Sequence, residues 1–343
     1  MKAFVLQKYG APLSQVSMPV PALGDHEVLV RMSAAGINHG DERLRSGEFK
    51  QIFPFKLPMV MGSEFSGEVV ATGPQVSTFK PGMQVFAYPD QSRMGAFAEL
   101  IAIHQDHLAL IPESGGMLEA ASLPVVGLTA WQGLVEMGKL RAGQTVLIHG
   151  GSGGVGSGAI QLAKHLGATV ATTVSSTNAE FVRALGADIV IDYRTEDFTE
   201  ILSDIDLVLD TQGGETLKRS LGIVRPGGAI IGITGPPDPA FATQAGVTSL
   251  VKLAIRGLSS ATRRRAHRLG VNYRFLFIRP NGEHLRKIAE LVDSGVIRPV
   301  VDRVMPFDET PQAFESLLSH SARGKVLVSV NPSDLTTGNS QNV

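Results

Sequence analysis

Residues Val146-Leu-Ile-His-Gly-Gly-Ser-Gly-Gly-Val-Gly156 run from an apolar, β-branched stretch through a turn made almost wholly of glycine into a helix opening. That is a narrow constraint on a fold. Gly151-x-Gly153-x-x-Gly156 follows the strand-like residues 145–148 and precedes residues 155–166, where Ala159, Ile160, Leu162, Ala163 and Leu166 recur at helical spacing. A small residue at Gly151 permits the tight turn, Gly153 lets backbone approach a pyrophosphate, and Gly156 lets helix pack on strand. The helix opening then presents free N–H groups and the positive end of its dipole to phosphates. The expected cofactor-binding run is Gly151, Ser152, Gly153, Gly154, Val155 and Gly156.

From residue 145 onward, strand-like runs at 146–149, 169–174, 189–191, 206–209 and 229–233 alternate with helical stretches. Gly167 and Gly186 stand just past two helix ends, where a left-handed cap favours glycine. This is βαβ repetition around a mostly parallel sheet, with residues 273–278 as a candidate sixth strand. The chain before residue 125 is different, with Gly/Pro turns and short alternating strands such as 27–32 and 64–71, which suits an antiparallel, partly barrel-like domain. Residues 325–330 read as a strand returning to that first domain. Residues 332–343 are polar and read as a disordered tail.

With 31 basic and 32 acidic residues among 343, nothing global steers the chain to nucleic acid. No apolar run is long enough to span a bilayer, so no membrane partner is expected. The opening residues, apolar only as far as Leu6, are too short for a signal peptide, and a cytoplasmic location is expected. Absence of cysteine excludes disulfides and thiolate zinc sites, and no metal is expected. Residues 236–270 interrupt the sheet pattern with an apolar helical stretch, 247–258, and then Arg263-Arg-Arg-Ala-His-Arg268. That segment is either a solvated surface helix, or a lid or contact with an anionic surface.

Further short motifs extend the pattern over most of the chain: Gly36-Ile-Asn-His-Gly-Asp41 with Arg45 and Gly47, Gly62-Ser-Glu-Phe-Ser-Gly67, Gly127-Leu-Thr-Ala130, Leu185-Gly-Ala-Asp188, Arg225-Pro-Gly-Gly228 and Gly324-Lys325. In this order and spacing the chain resembles the zinc-free quinone oxidoreductase branch of the medium-chain dehydrogenase/reductase superfamily. The resemblance implies an α/β fold: a GroES-like, mainly-β catalytic domain from residues 1–124 and 298–331, and a Rossmann domain, a doubly wound parallel sheet, from residues 125–297. Zinc-using relatives carry a cysteine near Asn38, a Gly-His-Glu triplet and a four-cysteine lobe. This chain has Gly62-Ser63-Glu64 and no cysteine. Without that Lewis acid, the resemblance implies hydride addition to an electrophilic quinone or enone.

NAD binding usually employs an acidic residue about 20 positions past the glycines, on the ribose hydroxyls. Here the second strand ends Thr173-Val-Ser-Ser-Thr-Asn178. In relatives a serine there and a tyrosine after the third strand grip a 2′-phosphate, which points to Ser175, Ser176 and Tyr193 and to NADPH. Asn178 stands where many relatives have lysine, with Arg194 as a substitute cation. Thr129 matches a threonine near the cofactor, and its hydroxyl equally suits a helix-start cap. Gly213 is expected beside the adenosine, or as a turn glycine. Lys325 completes the expected cofactor set.

Asn38 is the candidate catalytic side chain, an amide able to donate to a developing enolate oxygen without titrating. Asp41 and Arg45 read as a structural pair, His39 as incidental, and Tyr88 as packing. The competing readings are an NADPH-binding redox sensor or structural protein with little turnover, and an enoyl-thioester reductase. An edge strand carrying Phe275, Phe277 and Ile278 suggests a homodimer with a continuous sheet.

Overall fold

The computed structural model describes residues 1–52, 55–90, 93–319 and 323–331. Residues 332–343, expected as a disordered tail, lie outside the described residues. Two compact units form, one from Met1–Leu128 with Arg279–Val343 and one from Thr129–Ile278.

In the Thr129–Ile278 unit, six strands pair in parallel. Their order is Ile189–Asp192, Thr169–Val174, Thr145–His149, Ile205–Asp210, Val224–Gly232 and Asn272–Phe275, or third, second, first, fourth, fifth, sixth in the chain. The central strands are apolar on both faces because helices cover both. Val146, Leu147, Ile148, Val208, Leu209, Ile230 and Ile231 are all fully buried. Gly167 and Gly186 end helices Gly154–His165 and Ala179–Ala184 at φ +80° and +106°, conformations that only glycine adopts without strain. Strand order reverses between the first and fourth strands. In such sheets the carboxyl ends at the reversal form the ligand crevice.

The other unit is built on a seven-stranded sheet. Glu27–Ile37 lies at its centre, antiparallel to Phe65–Thr72, Leu100–His104 and the C-terminal Lys325–Ser329. Its core sets Phe4 edge-on to Phe307 and Phe97 edge-on to Phe314, ring centroids 5.2 and 5.7 Å apart, so both chain ends contribute. Residues 279–297, placed with the Rossmann strands on sequence grounds, pack here instead. Helix Gly282–Asp293 approaches strand Leu108–Leu110 so closely that a Cβ on Gly282 would stand 2.3 Å from the Leu108 carbonyl oxygen. Asp293 Oδ1 also accepts from the Ser114 N–H and hydroxyl, both at 2.9 Å. These contacts join segments far apart in sequence, which periodicity does not register.

The glycine turn supplies a direct test of this packing. A Cβ on Gly156 would lie 2.2 Å from the Gly150 carbonyl oxygen and 2.7 Å from Gly151 Cα, both backbone atoms that cannot rotate away. Gly156→Ala is expected to destabilise the protein by roughly 2–4 kcal/mol in denaturant unfolding. An unfolding midpoint equal to that of the parent would contradict the close approach.

Candidate active site

The turn after the first strand is held open by its neighbours. Thr172 Oγ1 donates to the Ile148 carbonyl at 2.7 Å, and Thr211 Oγ1 to the His149 carbonyl at 2.7 Å. His149 is buried between the hydroxyls of Thr173 and Ser220, at 3.0 and 2.9 Å, and burial pushes its imidazole down to about 4. Neutral at ordinary pH, it acts as a fixed hydrogen-bonding strut. Gly151 and Gly156 are buried against this scaffold, and Ser152, Gly153, Gly154 and Val155 are partly exposed. A Cβ on Gly151 would strike Thr172 Oγ1 at 2.2 Å, whereas one on Gly153 would meet only the Gly150 carbonyl oxygen, at 3.5 Å. Two glycines therefore serve packing, and the third leaves an uncovered approach to the first turn of helix Gly154–His165, whose N–H groups lack intrahelical acceptors. That cradle fits a pyrophosphate.

At the carboxyl ends of the second and third strands, the expected ribose residues separate by exposure. Ser175 is buried, its hydroxyl 2.9 Å from Thr177 Oγ1, while Ser176 and Tyr193 are exposed. Asn178 is buried and donates to Ser152 Oγ at 3.1 Å, so it braces the glycine loop. Arg194 lies over the Tyr193 ring, 5.8 Å from its centroid. Sequence reading missed Asp192, whose carboxylate accepts from the N–H groups of Ser176 and Arg194 at 3.1 and 3.0 Å. Those bonds, the Arg194 N–H foremost, hold it below the usual carboxylate range and clamp the two strand ends together. The in-register pairing of Val174 with Asp192 is what brings it there.

Thr129 loses one of its two readings in this unit, and Gly213 takes the second of its own. Thr129 is buried near the end of helix Pro124–Ala130, so it caps no helix start. Gly213, at φ +67°, gives its N–H to the Asp210 carboxylate at 3.0 Å and opens helix Gly214–Ser220 as a turn glycine. Phe275 and Phe277 both pack edge-on to Phe241, with centroids 5.2 and 5.1 Å away, so their rings serve this unit's own core.

The Met1–Leu128 unit holds a second polar centre. Glu64 is fully buried and paired with the Lys325 ammonium, itself buried. Lys325 Nζ also donates to Asn38 Oδ1 at 2.5 Å and the Ile37 carbonyl at 3.2 Å. An ammonium has three donors, so none remains for a cofactor, contrary to the expectation for Lys325. Asn38 is equally committed. Its Nδ2 donates to Glu64 Oε1 at 3.0 Å and Ser63 Oγ at 3.2 Å, which uses both amide hydrogens. Asn38 therefore positions the loop and keeps no donor for an enolate. Glu64 Oε2 accepts the Val125 N–H at 2.7 Å.

Asp41 is buried beneath this cluster, with Oδ2 accepting the Asn38 N–H at 3.1 Å, and burial pushes its carboxyl up to about 7. Its expected partner, Arg45, instead holds Glu42 through two 2.7 Å bonds on the outer side of helix His39–Arg45. The residue four positions back faces inward and the one three back does not. His39 is exposed at the helix start, and Tyr88 is buried. Among the described residues no three His, Asp or Glu side chains gather as a metal would require.

Comparison with known proteins fits this geometry. Residues 24–113 match the family described as alcohol dehydrogenase GroES-like domain, and residues 185–328 that described as zinc-binding dehydrogenase. Over 360 residues the chain is 34% identical to NAD(P)H oxidoreductase RTN4IP1, mitochondrial, of Danio rerio, covering 96% of this chain and 91% of that one. It belongs to the zinc-free quinone oxidoreductase branch of the medium-chain dehydrogenase/reductase superfamily. NADPH-dependent alkenal/one oxidoreductase, chloroplastic, of Arabidopsis thaliana is 33% identical, with 96% and 79% covered. Among solved structures, the Coxiella burnetii quinone oxidoreductase superposes with a TM-score of 0.84 at 30% identity, covering 96% of this chain and 99% of that one. The Escherichia coli quinone oxidoreductase complexed with NADPH gives 0.80 at 27%, covering 96% and 100%. The chain is thus an NAD(P)H-type oxidoreductase with GroES-like and Rossmann parts.

Two outcomes follow from the buried centre. Lys325→Met leaves Glu64 charged and unpaired and is expected to cost about 3–5 kcal/mol, most of it recovered in Glu64→Gln with Lys325→Met. A double-mutant cycle in denaturant reads that recovery, and simple additivity would contradict the pairing. Asp41 keeps its proton in the fold from about pH 4 to 7, where the unfolded chain has released it, so its contribution favours folding at low pH and is lost as pH rises. Asp41→Asn retains an oxygen for the Asn38 N–H. It should remove a loss on the order of 4 kcal/mol between pH 4 and pH 8, read as a flatter stability profile.

Proposed function

We propose that the protein is a zinc-independent reductase that uses NADPH to deliver hydride to quinones or α,β-unsaturated carbonyl compounds. The observation that carries the choice of NADPH is the ribose corner. It offers Ser176 and Tyr193, both exposed, with Arg194 beside them. Hydroxyl and guanidinium donors suit a 2′-phosphate. The printed names of the relatives, quinone oxidoreductases and an alkenal/one oxidoreductase, support the acceptor class.

When bound, the reduced nicotinamide supplies the hydride. The chain holds the pyrophosphate at the helix opening and orients the ring by that anchorage. In the triplet where zinc-using relatives carry histidine, Ser63 accepts from Asn38, and the adjoining Glu64 is neutralised by Lys325. The protein provides no Lewis acid from these residues. With an enone, hydride adds to the β-carbon, the π electrons move to oxygen, and water protonates the α-carbon. With a quinone, hydride and a solvent proton give the hydroquinone. Two copies pair through the outer edge of strand Asn272–Phe275, which has no strand beside it among the described residues.

Consumption of NADPH and NADH, followed by nicotinamide absorbance against benzoquinone and an alkyl vinyl ketone, tests this. Turnover should survive chelator. Ser176→Ala with Tyr193→Phe should raise KM for NADPH about tenfold and move KM for NADH less than about twofold. Equal loss with both cofactors would overturn the phosphate assignment. Tight NADPH binding without turnover would favour the sensor.

A further inference from the structure

Residues 239–278 contain seven lysines and arginines and no acidic residue, in a chain whose overall charge is −1. Six of those seven cations lie on two of its helices, Ser249–Leu258 and Ser260–Arg268. The first turns Ile255 inward, 1% exposed, with Ser259 fully buried just beyond its end, yet Leu250, Leu253 and Leu258 are 81%, 70% and 72% exposed. At 3.6 residues per turn these leucines and Ala254 fill an outward arc of roughly 140°, bordered on one side by Arg256 and Lys252. The second helix buries Ala266 and exposes Arg264, Arg265, His267 and Arg268. Arg274 pairs with Asp238, but none of Lys252, Arg256, Arg263, Arg264, Arg265 and Arg268 makes an ion pair among the described residues. A merely solvated helix would carry polar groups on its outer arc. This one carries leucines.

We propose that the Ser249–Arg268 helix pair docks on an anionic lipid surface, its leucines entering the acyl boundary and its arginines lying among the headgroup anions. The occupant follows from the charges. A second copy meeting this face across a two-fold axis would set unpaired cations against like cations. Nucleic acid would leave the leucine arc in water, and no exposed aromatic stands between the arginines for bases to stack on. A bilayer surface satisfies both halves, since it offers fluid apolar depth beneath mobile negative charge. No helix among the described residues is long and apolar enough to cross a membrane, and this mode needs none.

Flotation of the full chain with phosphatidylcholine vesicles, with and without roughly one third phosphatidylserine, tests the docking. At low salt the anionic vesicles should carry about tenfold more protein than the neutral ones, and added salt should narrow that gap. Leu250→Ser, Leu253→Ser, Leu258→Ser together should lower anionic binding about tenfold. Arg264→Gln, Arg265→Gln, Arg268→Gln should lower it similarly. NADPH affinity, measured on the same samples, should stay unchanged in both variants, which separates a failure of docking from a failure of the cofactor assignment. Equal capture on neutral vesicles would overturn the proposal, as would unchanged binding of the leucine variant. So would light scattering that shows the leucine variant falling from dimer to monomer, or capture by duplex DNA without capture by vesicles.

Discussion

The buried pair of Glu64 and Lys325 governs much of the unit that contains it. Neither charge reaches water, so each must find every partner within the fold. Lys325 arrives on the C-terminal strand, whose register sets Val326 opposite Ile37 and Leu327 opposite Gly36. A Cβ at Gly36 would lie 2.2 Å from Glu64 Oε1, so the glycine is required by the carboxylate. Asn38 sits between the charges and meets both, and Glu64's second oxygen fixes Val125 at the head of the next helix. A slip of one residue in the C-terminal strand would turn the ammonium to the opposite face and strand the carboxylate. The pair therefore works as a register pin joining segments separated by more than two hundred positions.

That centre also bears on the chemistry. Its donors are spent on one another, so the protein offers binding and position, with no free side-chain acid at Asn38 or Lys325. Under the proposed function such economy suits the acceptors, because quinones and enones are already electrophilic and their reduced oxygens take protons from water. Alcohol oxidation would demand a charge sink for an alkoxide, and the residues here are saturated with internal bonds.

What the sequence disclosed depended on range. The strand–glycine–helix unit, the βαβ order and the caps at Gly167 and Gly186 are local, written in periods of two and 3.6 and in glycine placement, and they were legible. The family and fold class were legible as well, since many short motifs fell in sequence order. The roles of Asn38 and Lys325 were not. Motif alone assigns both to the site, and only the three-dimensional pairing shows their donors exhausted. Arg45 was matched to Asp41 for want of helix phase, and Glu42 takes it. Helix Gly282–Asp293 was grouped with the strands it follows, although its glycine face fits strand Leu108–Leu110. Asp192 lies well past the position, about 20 residues after the glycines, where such a carboxylate is expected, and sheet register delivers it from the third strand.

The basic segment shows why averages mislead about partners. Net charge sums over the whole surface, but an ion within a Debye length of the surface feels only the nearest few groups. A near-zero total is compatible with a stretch of forty residues free of acid, provided acids concentrate elsewhere, as they do here. Hydropathy behaves alike: an amphipathic helix with leucines on one arc and cations on the next averages to an unremarkable value. Whether such a helix is a soluble surface element or an interfacial one is decided by which arc faces outward. Ile255 turns in, the leucines turn out, and that single rotational fact carries the distinction.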